Sequence, residues 1–156
     1  RNGRVGCGTG DTWTVTRQHG THTHPYAGPV TGSSVAFSYP APEDLASTTN
    51  SYLVVKATAK DAQGITTSVT RRLLPRTVVL SFATSPAGGR VVVSGISLAT
   101  PATLTSWANA VLQLDVPDQS IGGVPHTAGG WSDGGTRTRS ITTPTTPTTY
   151  TALLAP

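Results

Sequence analysis

The chain has 156 residues, a formal charge of +4 and 12% charged residues, with 17 Gly, 12 Pro and 28 Thr. That length suits one sandwich or two small domains, and no apolar run reaches the ~18 residues that a membrane span requires. The basic residues are scattered, with Arg71, Arg72 and Arg76 the nearest to a cluster, which argues against a nucleic-acid partner, since such surfaces carry a stripe of Lys and Arg with interleaved aromatics.

Period-2 alternation recurs along the chain and helical periodicity is almost absent, so the reading is all-β. The abundant Thr is β-branched and fits a half-buried pleated surface. The given chain contains no Met and a single cysteine, Cys7, between Gly6 and Gly8. This reads as a processed or excised part of a secreted protein, with Cys7 pairing to another chain or standing as a thiol. Residues 1–11 are Gly-rich and do not alternate.

Strands are predicted at Thr12–Thr16, with Trp13 and Val15 on one face, and at Ser34–Tyr39, with Val35, Phe37 and Tyr39 together. A short helix is expected at Glu43–Thr48 after Pro42. Tyr52–Ala59 and Ile65–Leu73 flank the turn signal Asp61-Ala62-Gln63-Gly64 and form a hairpin. Pro75-Arg76 is the domain boundary, giving domains at 1–76 and 77–156. The second domain is read as strands at Thr77–Thr84, Arg90–Ser94, Ala102–Ser106, Ala110–Val116, Ala128–Ser132, Thr136–Thr142 and Thr149–Leu154. The TTPTTPTT stretch from Thr142 to Thr149 could be a mucin-type linker, but the alternation that follows it favours a long hairpin loop. The expected architecture is two tandem immunoglobulin-like or PKD-like β-sandwiches, the first incomplete or irregular at its N-terminus.

His19, His22 and His24 are the sharpest chemical feature. Residues i and i+2 of a strand share a face, so His22 and His24 point the same way, and a turn at Gly20 could bring His19 to them. Three imidazoles so placed could ligate zinc or copper; stacked structural histidines are the competing reading. Calcium at Asp61 or at Glu43-Asp44 is a weaker candidate, because Asx turns account for Asp61 and Asp133. Trp13 is assigned to a core. Trp107 and Trp131 are candidate sugar-stacking rings, with Trp107 the more exposed, and Tyr26 and Asp133 complete the candidate ligand-binding set. There is no nucleophile elbow, triad, dyad or phosphate loop, so the chain reads as non-catalytic.

Thr21-His22-Thr23-His24-Pro25, Pro42-Glu43-Asp44 and the run NSYLVVKATAKDAQGITTSVTRRLLPRTV form one block, and Trp131-Ser132-Asp133-Gly134-Gly135 with ITTP and TTYTA forms another. Together they resemble the C-terminal accessory region of secreted actinobacterial PQQ-dependent sugar dehydrogenases, of the glucose/sorbosone dehydrogenase type. The resemblance covers about residues 13–154, without the propeller that holds the quinone, and departs from the pattern at Gln18-His19 and at the N-terminus. It implies an extracellular accessory module, with an upstream catalytic domain as one partner. Three functions follow as expectations: binding carbohydrate or cell-wall polymer, structural or adhesive self-assembly as a homo-oligomer, and metal binding through the histidines.

Overall fold

The structure is a computed structural model that describes residues 10–38, 40, 42 and 45–156. Among these it is all-β apart from a 3-10 helix at Leu45–Asn50. No helix is long and apolar enough to cross a membrane. The chain divides into two compact units, Arg1–Pro75 and Arg76–Pro156.

In the first unit β1 (Thr12–His19), β2 (His22–Thr31), β3 (Tyr52–Lys60) and β4 (Thr66–Leu73) form one antiparallel sheet in the order β2-β1-β3-β4. Alternation decides its faces: Val15 lies opposite Val55, and Val55 opposite Arg71. Val15 and Leu53 are buried on that face, and Thr48 of the 3-10 helix is buried too. The β3–β4 hairpin closes through the expected turn. Gly64 supplies the positive φ the turn requires, and the Asp61 carboxylate accepts from the Gln63 and Ile65 amides at 3.0 and 2.7 Å.

One expectation for this unit, a strand at Ser34–Tyr39, is corrected over its described residues. Among the described residues the unit holds a single sheet, not the two sheets of a sandwich. Residues 34–38 form no strand; Tyr39 lies outside the described residues. A side-chain tether holds this segment instead of a ladder. The Tyr26 hydroxyl donates to the Ser38 carbonyl at 2.6 Å and the Tyr26 ring meets Phe37 edge-on at 6.2 Å, while Pro40 and Pro42 offer no amide for pairing. Over its described residues the expected helix is a 3-10 helix, Leu45–Asn50, with the Thr48 hydroxyl donating to the Leu45 carbonyl; Glu43 and Asp44 lie outside the described residues.

The second unit has two sheets and a sandwich-like core. One contains β10 (Gln119–Ile121), β11 (Val124–Trp131), β13 (Thr148–Ala155), β5 (Thr77–Ser85) and β8 (Ala102–Trp107), in that order. The other contains β12 (Arg139–Thr142), β9 (Val111–Asp115), β6 (Arg90–Val93) and β7 (Ile96–Ala99). Alternate residues are buried: Val78, Leu80 and Phe82 on β5, Leu104 on β8, Ala152 and Leu154 on β13, Val91 and Val93 on β6, and Leu112 and Leu114 on β9. The last strand, β13, lies parallel to the first, β5. Two short hairpins were not anticipated. Ser94-Gly95 joins β6 to β7 and Gly122-Gly123 joins β10 to β11, each with positive φ at both turn residues, the two-residue geometry that matches strand twist. The TTPTTPTT stretch is neither a linker nor a hairpin loop. It carries the chain from β12 in one sheet to β13 in the other, with Thr143 fully buried and its amide and carbonyl bonded to Ala110 and Asn109.

Candidate functional site

The histidines sit at the closed end of the β1–β2 hairpin. His19 is directly opposite His22 and Arg17 is opposite His24, so all three imidazoles share one face, with Gly20 in positive φ at the turn. The rings stack, His19 lying 5.1 Å from His24 and 5.6 Å from His22 between centroids. One pair of nitrogens converges, Nε2 of His19 and Nε2 of His24 at 3.0 Å, the separation of a hydrogen bond in which one imidazole donates and the other accepts. The Thr23 hydroxyl donates to the Gln18 amide oxygen beside them. The register expected of this cluster is present, and in this arrangement the three rings stack. A stack turns ring faces, not three lone pairs, toward a common point, and no group of three or more His, Cys, Asp or Glu among the described residues is placed to hold a metal ion. The calcium candidate Asp61 spends its Oδ1 on its own turn.

Trp107 is 1% exposed and Trp131 is 2% exposed, so neither presents a ring to a sugar. Trp107 is the last residue of β8, and the loop after it is a tight turn in which the Ala110 amide donates to the Trp107 carbonyl and Asn109 is tied to Thr143. Tyr26 is half-buried and its hydroxyl is committed to Ser38.

Around Trp131 the structure assembles a cluster of Asp133, a candidate ligand-binding residue, with Arg139 and Tyr150, which the sequence pattern does not single out. Arg139 pairs across β12–β9 with the buried Leu114, which sends its side chain inward. Its guanidinium lies 5.4 Å from the Trp131 ring and 5.6 Å from the Tyr150 ring, and its Nη2 donates to Asp133 Oδ2 at 2.8 Å. Tyr150 stacks on Phe82 at 5.8 Å and meets Trp131 edge-on at 6.4 Å. The Arg139 hydrogen bond is the main cause holding the Asp133 carboxyl below its ordinary range, and burial raises Tyr150. This is a cation–π pin closing a core. It contains no nucleophile beside a base. The alternation of Arg139 with Ile141 was the signal that could have revealed it.

A shallow depression of about 340 Å³ lies along Ser81, Ala83, Pro101, Thr103 and Thr149. Its lining holds no titratable side chain.

The exposed feature with directional chemistry is β4. All eight of its residues are exposed, and among the described residues no strand lies on its outer side. Ile65, Val69 and Leu74 are exposed apolar residues on and beside it. The opposite edge of the same sheet is different. β2 contains Pro25 and Pro29, and register shifts interrupt its pairing with β1 around Val15. Proline and bulges are how edges are closed to further pairing; β4 has neither. Comparison with protein-family models, with curated proteins and with solved structures finds no match.

Proposed function

We propose that the chain is a non-catalytic module of a secreted protein that works by assembly through an open sheet edge, its second unit being a small immunoglobulin-like or PKD-like sandwich. The observation that carries this reading is β4, an edge strand exposed along its whole length opposite an edge closed by two prolines. An edge strand presents a row of N–H and C=O groups to which another strand adds, the mode known as β-augmentation. The resemblance of residues 13–154 to the accessory region of secreted sugar dehydrogenases supports the extracellular setting. With Trp107 and Trp131 in the core, carbohydrate recognition by those rings has no exposed platform, and assembly takes precedence over it.

The Asp61 amide donates to the Ile65 carbonyl, so the backbone of Ile65 faces β3. Alternation along β4 then turns the amides and carbonyls of Thr66, Ser68, Thr70 and Arg72 outward. Thr70→Pro removes one outward donor without touching the β3–β4 ladder. Light scattering across a concentration series is expected to show association of the unmodified chain and its loss in Thr70→Pro, with the far-ultraviolet circular dichroism of both unchanged. A single-chain mass for the unmodified protein at every concentration up to about 1 mM, the weak end of specific association, would remove the reading.

A further inference from the structure

We infer that the strand that adds to β4 is β4 of a second copy, antiparallel and centred on Val69; this rests on the assembly reading above. The argument is the spacing of the apolar residues. Ile65, Val69 and Leu73 are 67%, 59% and 38% exposed. All three lie on the face that carries Val15 and Leu53, since Val69 pairs with Ala57 and Leu73 with Leu53. They are spaced evenly on either side of Val69. When β4 meets its own copy antiparallel about that residue, Val69 faces Val69, Ile65 faces Leu73 and Leu73 faces Ile65. The apolar row is self-complementary, as a two-fold interface requires.

The charges fit the same register. Arg71 falls opposite Thr67 and Arg72 opposite Thr66, so no guanidinium meets another. Arg72 is in addition drawn over its own Tyr52 ring, 4.7 Å from the centroid, on the opposite face from Val69. The neighbouring symmetric registers are worse. Centring on Thr70 places Arg71 against Val69 and Leu73 against Thr67, and centring on Ser68 places Arg71 against Ile65 and Val69 against Thr67. The outward backbone groups also match. Thr66 meets Arg72 and Ser68 meets Thr70, each pair exchanging N–H···O=C bonds, about eight across the seam. The pairing consumes β4 on both copies and leaves β2 with its prolines at each end of the enlarged sheet, so growth stops at a dimer.

Val69 then faces its copy across a non-hydrogen-bonded pair, where Cα atoms are about 4.5 Å apart, within the span of a disulfide. The test is cysteine cross-linking of the full chain in a Cys7→Ser background. Val69→Cys is expected to oxidise to a covalent dimer. Thr67→Cys and Arg71→Cys are each expected to stay monomeric on a denaturing gel, whereas their mixture cross-links, because 67 faces 71. Val69→Lys, which sets two ammonium groups against each other at an exposed position, is expected to raise the dimer dissociation constant about tenfold or more, with an unchanged melting temperature at concentrations low enough for both proteins to be monomeric. Association of the unmodified chain that survives Val69→Lys, with no cross-link in Val69→Cys, would overturn the β4–β4 pairing and leave assembly through another edge. A strictly single-chain mass would overturn both.

Discussion

Replacing Trp131 by Ala separates a core ring from a ligand platform. The ring is 2% exposed, so truncation opens a void of indole size, which costs about 3–5 kcal/mol in a well-packed core. It also deletes the edge contact with Tyr150 and the cation–π contact with Arg139, each worth roughly 0.5–1.5 kcal/mol, and the hydrogen bond from Nε1 to the Arg137 carbonyl at 3.2 Å. These overlap with the void and do not add fully. A working value is about 4 kcal/mol, and at ~4–8 °C per kcal/mol for a domain of this size the melting temperature of the Arg76–Pro156 unit falls by about 20 °C. Differential scanning calorimetry with near-ultraviolet circular dichroism reads that transition. Trp131→Phe, which keeps a ring against Tyr150, should lose less than half as much. A drop of under about 5 °C in Trp131→Ala, accompanied by lost retention on a polysaccharide column, would refute the core assignment and restore the ring as a sugar platform.

Four further outcomes are expected. Arg139→Lys gives up the planar stack on Trp131 and Tyr150 and the Asp133 hydrogen bond, and should lower the second unit's stability by roughly 1–2 kcal/mol in urea unfolding; an unchanged midpoint would refute the pin. Gly28 has φ +88 and an added Cβ would lie 2.4 Å from the Trp13 carbonyl oxygen, so Gly28→Ala should destabilise the first unit by roughly 2–4 kcal/mol, read by proteolysis between residues 10 and 75. Asp118 is lowered chiefly by the Ala128 amide and then by Arg137, and Asp133 chiefly by Arg139. Lowered carboxyls stabilise above their ordinary value of 3.8 and lose that contribution as the pH falls through the lower folded value. Tyr150 is raised by burial, so its contribution is whole below 10.0 and fades as the pH climbs past it. The second unit's melting temperature should therefore hold between about pH 5 and 8 and fall below about pH 4; a rise toward pH 3 would contradict the assigned ion pairs. Titration with zinc or copper should show no tight, stoichiometric heat at pH 7.5, and tight binding abolished by both His19→Ala and His24→Ala would reinstate a chelate.

The strands with strong alternation were legible because one physical cause set them. Thr77 to Ser85 alternates because one of its faces is buried, and Tyr52 to Lys60, with Leu53 buried, also lies close to where the pattern placed it. The misses have particular causes. β2 was hidden because Pro25 and Pro29 break any strand pattern, and an edge strand is the place where prolines are tolerated. β7 and β10 are four and three residues long, too short to alternate visibly, although Ser94-Gly95 and Gly122-Gly123 carried the turn signal. Ser34–Tyr39 alternates without forming a strand over its described residues, because its half-buried Phe37 packs on Tyr26. Trp107 is buried although it adjoins a loop, because a tight, hydrogen-bonded turn covers what precedes it. The histidine register was readable from period 2, but whether ring faces or ring nitrogens would converge is decided by side-chain torsions that spacing does not encode.

The composition bears on assembly as well as on fold. With 12% charged residues against 28 Thr, the chain keeps its sheet surfaces wet with hydroxyls instead of ions, as where the Thr58 and Ser68 hydroxyls bond across β3 and β4 at 2.9 Å. Hydroxyl surfaces are soluble yet do not repel a copy of themselves. A β4 carrying Lys and Glu at Thr66, Thr67, Ser68 and Thr70 would hold the same place beside β3 and resist addition of another strand. The charges it does carry, Arg71 and Arg72, are grouped at one end, and antiparallel pairing sends them to opposite ends of the seam. On the proposed pairing, hydroxyls standing where charges would repel let β4 meet its own copy, and the prolines of β2 keep the opposite edge out of it.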